Sequence, residues 1–166
     1  MSSGSGPATP TGDGNAPGLD GLVRGVNHVS VFVEELEDAE RFLTKVLGFR
    51  LERRVEEPDS GTLAFFRSGS AMVELVRLHD DERRRERLAG AAAVIDHIAF
   101  DVDDADAAAE SLTAAGVRLR EPFRAPPADA EAGARVRSSH RRRQARVFFT
   151  DPTTSAGVVF QFVQED

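Results

Sequence analysis

The sequence has no cysteine, and it has no long apolar run. Without cysteine the chain forms neither a disulfide scaffold nor a thiolate zinc site, so any metal must be bound by histidine, carboxylate or amide groups. No stretch of about 18 apolar residues is present, so no membrane-spanning segment is predicted. The first residues have neither a basic start nor an apolar run, so no secretory signal is predicted. We therefore expect a cytoplasmic protein without membrane contact.

The formal net charge is -7, which argues against nucleic acid as a partner. Positive charge is nevertheless concentrated in two clusters. The first contains Arg83, Arg84, Arg85 and Arg87, and the second contains Arg135, Arg137, Arg141, Arg142, Arg143 and Arg146. Such clusters form either a solvated surface or an anion site for a phosphate or carboxylate on a small substrate.

Residues 1–24 are predicted to form a disordered N-terminal arm. Glycine, serine, proline, alanine, threonine and aspartate dominate residues 2–21, where Leu19 is the only sizeable apolar side chain. Such a segment cannot bury enough surface to offset the entropy lost on ordering. The remaining residues 25–166 have the size of a single domain.

The sequence contains an internal repeat. Residues 26–30 (VNHVS) recur as residues 95–99 (IDHIA), and each copy leads into an acidic stretch and then a helical pattern. The two helices are predicted to end at Gly48 and Gly116, where a left-handed cap is favourable. Three strand signals follow each helix. The predicted strands are 49–55, 62–67 and 71–77 in the first copy, and 117–120, 145–150 and 158–163 in the second.

This order predicts two modules of one strand, one helix and three strands. Module one spans 25–78, a linker spans 79–93, and module two spans 94–164. Module two carries an Ala-, Pro- and Arg-rich insertion at about 124–144. We expect this insertion to be a mobile loop over the site.

Four polar residues occupy matching positions in the two modules. Because side chains alternate across a strand, His28 and His97 are predicted to face away from their bulky apolar neighbours. Glu74 and Gln161 interrupt the apolar run of the last strand in each module. A carboxylate inside such a strand is costly unless it is paired or bound to a metal. Two histidines, a carboxylate and an amide in this arrangement form a reasonable divalent-metal site.

Each of these residues also has a structural interpretation. A single histidine in a strand is commonly a hydrogen-bonded structural residue, and a single Glu or Gln can lie on a solvated strand face. The shared symmetry of four residues favours a joint site over four independent coincidences. His79 and His140 lie in charged loop sequence and are interpreted as surface residues.

These motifs resemble the vicinal-oxygen-chelate superfamily, which includes glyoxalase I, methylmalonyl-CoA epimerase, extradiol dioxygenases and bleomycin-resistance proteins. The resemblance covers most of residues 26–164. It lies in VNHV (26–29), VLGF (46–49), VEL (73–75), IDHIAF (95–100), AGV (115–117), DP (151–152) and GVVFQ (157–161). It implies an α+β fold in which two pseudo-symmetric βαβββ modules form a curved mixed sheet around a metal cleft.

The order of motifs is most similar to that of methylmalonyl-CoA epimerases, and related epimerases act on cyclitols such as 2-epi-5-epi-valiolone. The resemblance therefore implies an epimerase or isomerase that removes a proton next to a carbonyl, with a metal stabilising the enolate. The substrate class would be a keto-cyclitol or acyl-CoA-like carbonyl compound. By position, His28, Glu74, His97 and Gln161 would bind one divalent ion (Zn, Co, Ni, Mn or Fe).

Two differences from the epimerases bear on catalysis. Gln161 stands where they usually have a glutamate, and residues 63–66 (LAFF) occupy the region where they usually place a catalytic glutamate. Glu74 is therefore the candidate base. Asp101, on the inward face of its strand, is a second catalytic candidate, and its alternative role is to cap the second helix.

Two other function classes remain open. His28, His97 and Glu74 also form the two-histidine, one-carboxylate set of an Fe(II)-dependent dioxygenase. A metal-free binding or resistance protein is the third class, although without Trp or Tyr its aromatic surface would rest on 11 Phe. Small members of the superfamily are typically homodimers, so the resemblance implies a homodimer.

Overall fold

The computed structural model describes residues 18–120 and 146–165. Its strands are β1 (Val23–Val33), β2 (Arg50–Glu57), β3 (Gly61–Ser68), β4 (Ala71–Leu78), β5 (Ala93–Val102), β6 (Leu119–Arg120), β7 (Arg146–Thr150) and β8 (Val159–Gln164). Its helices are α1 (Leu36–Arg41), which continues into a π-helical turn (Phe42–Val46), α2 (Asp81–Leu88) and α3 (Ala105–Ala114). None of these helices is long and apolar enough to cross a membrane.

The strands of the described residues form one mixed sheet in the order β2-β3-β4-β1-β5-β8-β7-β6. Within each half the first strand pairs in parallel with the last, β1 with β4 and β5 with β8. The halves join through the antiparallel pair β1–β5 at the centre of the sheet. This curved α+β architecture of two βαβββ units confirms the predicted fold class.

The predicted helix ends agree with the backbone conformation. Gly48 and Gly116 have φ values of 73° and 83°, in the left-handed region that glycine adopts without steric cost. At the start of α3 the Asp104 carboxylate accepts hydrogen bonds from the backbone N–H groups of Asp106 and Ala107. The cap of this helix is therefore Asp104, and the alternative capping role of Asp101 is not observed.

Two apolar clusters fill the space between the sheet and its two repeat-related helices. The cluster under α1 contains Val33, Leu36, Leu43, Ala64, Phe66 and Leu75. The cluster under α3 contains Val102, Ala105, Ala108, Phe148 and Phe162. Because side chains alternate along each strand, burial of this face leaves His28, Glu74, His97 and Gln161 on the opposite face.

The linker between the modules contains α2, which the sequence pattern did not predict. Leu88 of this helix is 2% exposed and packs with Phe32 and Leu78. Arg84 is also buried. Its charge is compensated there, because it donates to the carbonyl of Leu78 and pairs with the carboxylates of Glu34 and Asp81. Phe32 lies on the same face of β1 as His28 and Ser30, because side chains alternate along a strand. Helix α2 therefore packs on the face of the sheet that carries the four predicted ligands.

The folded part of the chain begins earlier than the expected boundary at residue 24. β1 already starts at Val23, and Leu19 and Leu22 pack against the cluster under α3. The backbone N–H of Asp103 donates to the carbonyl of Leu22. The remainder of the predicted arm, the insertion at 124–144 and His140 lie outside the described residues.

Candidate metal centre

The structure brings the four predicted metal ligands together at the centre of the sheet. The Nε2 atoms of His28 and His97 are 3.2 Å apart, and Oε1 of Gln161 is 3.1 Å from Nε2 of His97. Oε2 of Glu74 lies 3.5 Å from Nε2 of His28 and 4.0 Å from that of His97. The two histidines and Glu74 are each at most 7% exposed, whereas Gln161 is half-buried at the side of the cluster.

Strand register explains this convergence. Ser30 on β1 pairs with Glu74 on β4 at one side and with His97 on β5 at the other. Ala99 on β5 pairs in the same way with His28 on β1 and Gln161 on β8. Directly paired residues share a face of the sheet, so the four predicted ligands lie on the four central strands around one point.

Each histidine is held by the residue that precedes it. Asn27 and Asp96 are both skipped in the β1–β5 register, which marks a β-bulge at each position. A bulge re-aims side chains, and here it lets each skipped residue contact the neighbouring imidazole. Nδ1 of His28 lies 2.6 Å from Oδ1 of Asn27, and Nδ1 of His97 lies 2.8 Å from Oδ2 of Asp96. The sequence analysis missed this pair, although the repeat itself aligns Asn27 with Asp96.

A second set of contacts lies behind these two residues. Nδ2 of Asn27 donates to Oδ1 of Asp101 at 2.6 Å. Nη1 of Arg87 lies 3.7 Å from Oδ1 of Asp96. Asn27 thus lies between Asp101 and His28. The described hydrogen bond of the Asp101 carboxylate is with Asn27 and not with any of the four predicted ligands.

These contacts decide which nitrogen of each imidazole carries the proton. An ionised Asp96 only accepts hydrogen bonds, so Nδ1 of His97 is the donor. The amide nitrogen of Asn27 donates to Asp101, so its oxygen faces His28, and Nδ1 of His28 is likewise the donor. In the neutral imidazoles both Nε2 atoms are then unprotonated.

The donor set therefore fits a divalent cation. Two Nε2 lone pairs, a carboxylate and an amide oxygen converge in a buried space, and ligand atoms of His28, Glu74 and His97 lie within 4.8 Å of one another. Buried acceptors facing each other without a donor are unfavourable unless a cation lies between them. The Nε2–Nε2 distance of 3.2 Å suits two ligands of one ion with bonds of about 2.0–2.1 Å.

Aromatic rings form the walls beside the cluster. Phe65 and His28 form a perpendicular ring pair with centroids 6.3 Å apart, and Phe149 and His97 form another with centroids 5.4 Å apart. Ser30 is fully buried, and its hydroxyl has no hydrogen-bond partner among the described residues. The cluster thus combines apolar walls with a few polar groups aimed inward, as ligand sites commonly do.

The Asp96 carboxylate is expected to support metal binding through His97. Asp96→Ala should weaken metal affinity by about 10- to 100-fold, because outer-shell partners orient the ligand and raise its basicity. Asp96→Asn keeps an acceptor, as Asn27 does for His28, and should fall between parent and alanine variant. Isothermal titration with Zn²⁺ measures both. Asp103→Ala, which removes an exposed carboxylate of the same segment, is the control. Parent-like affinity in Asp96→Ala would contradict the role.

Comparison with solved structures shows similar folds. A methylmalonyl-CoA epimerase from Mycobacterium tuberculosis is 25% identical, with a TM-score of 0.65 over 87% of this chain and 90% of that one. A hypothetical protein from Bacillus halodurans C-125 is 21% identical, with a TM-score of 0.66 over 85% and 94%. A Streptomyces coelicolor methylmalonyl-CoA epimerase variant in complex with 2-nitronate-propionyl-CoA is 22% identical, with a TM-score of 0.63 over 86% and 98%. No curated protein sequence matches the chain.

A family model settles the broader assignment. The model described as Glyoxalase/Bleomycin resistance protein/Dioxygenase superfamily matches residues 25–162, which is most of the chain. The match covers both βαβββ modules and all four residues of the buried cluster. The resemblance predicted from the sequence motifs is confirmed, and the chain belongs to the glyoxalase/bleomycin resistance protein/dioxygenase superfamily.

Proposed function

We propose that the protein is a metal-dependent epimerase or isomerase that removes a proton next to a carbonyl group. The observation that carries this proposal is the convergence of four acceptor groups, His28, Glu74, His97 and Gln161, in one buried cluster. The likeness to an epimerase at 25% identity supports the reaction class. The substrate class would be a small carbonyl compound.

The four residues would hold one divalent ion. The ion would supply Lewis acidity, which stabilises negative charge on a carbonyl oxygen while the neighbouring carbon loses its proton. Nδ1–H donation to Asn27 and Asp96 keeps both imidazoles in the orientation that presents Nε2. The rings of Phe65 and Phe149 lie beside the histidines and would exclude water there, which would strengthen electrostatic interactions in the cluster.

Glu74 would act as the base once its carboxylate leaves the ion, which His28, His97 and Gln161 would continue to hold. It is the carboxylate of the cluster, it is 6% exposed, and Oε2 faces both histidines. β3 carries no acidic residue, so the wall beside Glu74 offers no other carboxylate. A positioned base of this kind typically contributes on the order of a hundredfold or more to the rate.

We propose a positioning role for Asp101 instead of direct catalysis. Its Oδ1 accepts from Asn27, whose oxygen in turn accepts from His28. Asp101 would therefore fix the orientation of a metal ligand.

The fourth acceptor favours this function over an oxygenase. A dioxygenase site of two histidines and one carboxylate keeps its remaining positions open for oxygen and substrate. Here Oε1 of Gln161 lies 3.1 Å from Nε2 of His97 and would take one of those positions. An epimerase needs fewer open positions, because only the oxygens of the substrate have to bind.

Deuterium exchange tests the proposal. The metal-loaded protein is incubated in D₂O with methylmalonyl-CoA and with simple keto-cyclitols, and the α-proton signals are followed by NMR. We expect at least one compound to exchange its α-proton with the loaded protein and not with the metal-free protein. Oxygen consumption by the iron-loaded protein, without any exchange, would replace the proposal with the oxygenase function.

A further inference from the structure

An arginine stands at the outer end of each wall of the site, at the same place in the two modules. Cross-strand pairing links it through a phenylalanine to a residue of the buried cluster. The two rows are Arg53–Phe65–Glu74 across β2, β3 and β4, and Arg120–Phe149–Gln161 across β6, β7 and β8. Because paired residues share a face of the sheet, both arginines lie on the face of the cluster.

Phe65 connects Arg53 to the cluster directly. The guanidinium carbon of Arg53 lies 3.9 Å from the centroid of the Phe65 ring, which is nearly perpendicular to the ring of His28 at 6.3 Å between centroids. A guanidinium stacked on an aromatic face is held in place with its N–H groups free at the edge. β2 is two strand spacings from β4, about 10 Å, so the positive charge of Arg53 lies within the length of a small substrate from Glu74.

The charge of Arg53 is not neutralised within the described ranges. Its neighbours are paired, since Arg54 forms an ion pair with Glu40 and Arg67 forms one with Glu52 at 2.6 Å. Arg53 forms no ion pair with any carboxylate of residues 18–120 or 146–165, and its described contact is the Phe65 ring. It is solvent-exposed, so an incoming anion can reach it.

On the other wall, beside Arg120, Arg118 forms an ion pair with Asp151 at 3.7 Å. The hydroxyl and the backbone N–H of Thr153 lower the pKa of Asp151, and the positive charges of Arg118 and Arg120 lower it further. Of the two repeat-related arginines, Arg53 is the one whose guanidinium stacks on its phenylalanine in the described part of the chain.

We propose that Arg53 binds an oxyanion group, carboxylate or phosphate, of the substrate whose carbonyl reaches the buried cluster. This rests on the proposed function for the place of the carbonyl, and it adds that the substrate is anionic at a distance from its reacting carbon. A guanidinium presents paired N–H donors that match either oxyanion. Arg53 then selects among carbonyl compounds, and Glu74 and the histidines act on the one selected.

Calorimetric titration with matched probes tests this. The Mn²⁺-loaded protein is titrated with 2-oxoadipate and its 6-methyl ester, and with dihydroxyacetone phosphate and dihydroxyacetone. We expect the parent to bind the anionic member of one pair about tenfold more tightly than its neutral partner. Arg53→Ala should abolish the difference, and Arg53→Lys should retain part of it. Arg54→Ala, next along β2 and paired with Glu40, is the matched control. A difference within the 2-oxoadipate pair would identify the bound group as a carboxylate. A difference within the dihydroxyacetone pair would identify it as a phosphate.

The outcomes separate this proposal from the proposed function. Equal affinities within both pairs in the parent, or discrimination that survives in Arg53→Ala, would overturn the role of Arg53. The same titration of the metal-free protein keeps the role testable when no metal binds. Arg53-dependent discrimination in a protein that binds no metal would overturn the metal-dependent function and leave the anion site in place.

Discussion

Replacing both histidines of the cluster, His28→Ala with His97→Ala, is expected to abolish metal binding. We expect about one divalent ion per chain in the parent and none in the variant. An outer-shell partner is typically worth 10- to 100-fold in affinity, so loss of two direct ligands should cost more than about a thousandfold. Elemental analysis of protein purified without chelator measures the metal, and circular dichroism checks the fold.

His79→Ala is the matched control for this experiment. His79 contacts Thr62 and Glu56 at the edge of the sheet, away from the cluster. It should retain the full metal content. A parent without metal, even after reconstitution, would contradict the metal centre and favour a metal-free binding protein. The metal found is informative as well, since iron favours an oxygenase, whereas cobalt, nickel, zinc or manganese favours the epimerase.

Glu74→Gln is expected to stop catalysis while the fold and part of the metal affinity remain. The amide keeps one oxygen in the place of the carboxylate but cannot accept the substrate proton, so the exchange rate should fall by about a hundredfold to ten-thousandfold. Solvent deuterium exchange by the loaded variant measures this. Full activity in Glu74→Gln would remove the base assignment.

The repeat provides a control that separates charge from position. Glu74→Gln combined with Gln161→Glu restores the number of carboxylates in the cluster and moves the charge to the opposite side. We expect this double variant to recover metal affinity without recovering exchange. Parent-like exchange in the double variant would show that the charge of the cluster matters and that the position of Glu74 does not.

The internal repeat made most of the fold readable from the sequence. Helix periodicity and strand alternation are local, so the elements of each module and the helix ends at Gly48 and Gly116 could be predicted. Helix α2 could not, because its segment DERRRERL is almost entirely charged and shows no apolar period. Its formation depends on burial of Arg84 and Leu88 against β4 and β1, which are contacts with other parts of the chain.

For the site as well, local sequence patterns predicted one part and contacts between distant segments determined the rest. By itself the sequence determined which four residues share a face, because alternation in a strand places His28, Glu74, His97 and Gln161 opposite the apolar core. Only the tertiary structure decided what surrounds them. The bulges that turn Asn27 and Asp96 toward the histidines arise in the β1–β5 pairing, and pairing of β2 with β3 brings Arg53 to Phe65. Strand register is a relation between distant segments, and periodicity within one segment does not specify it.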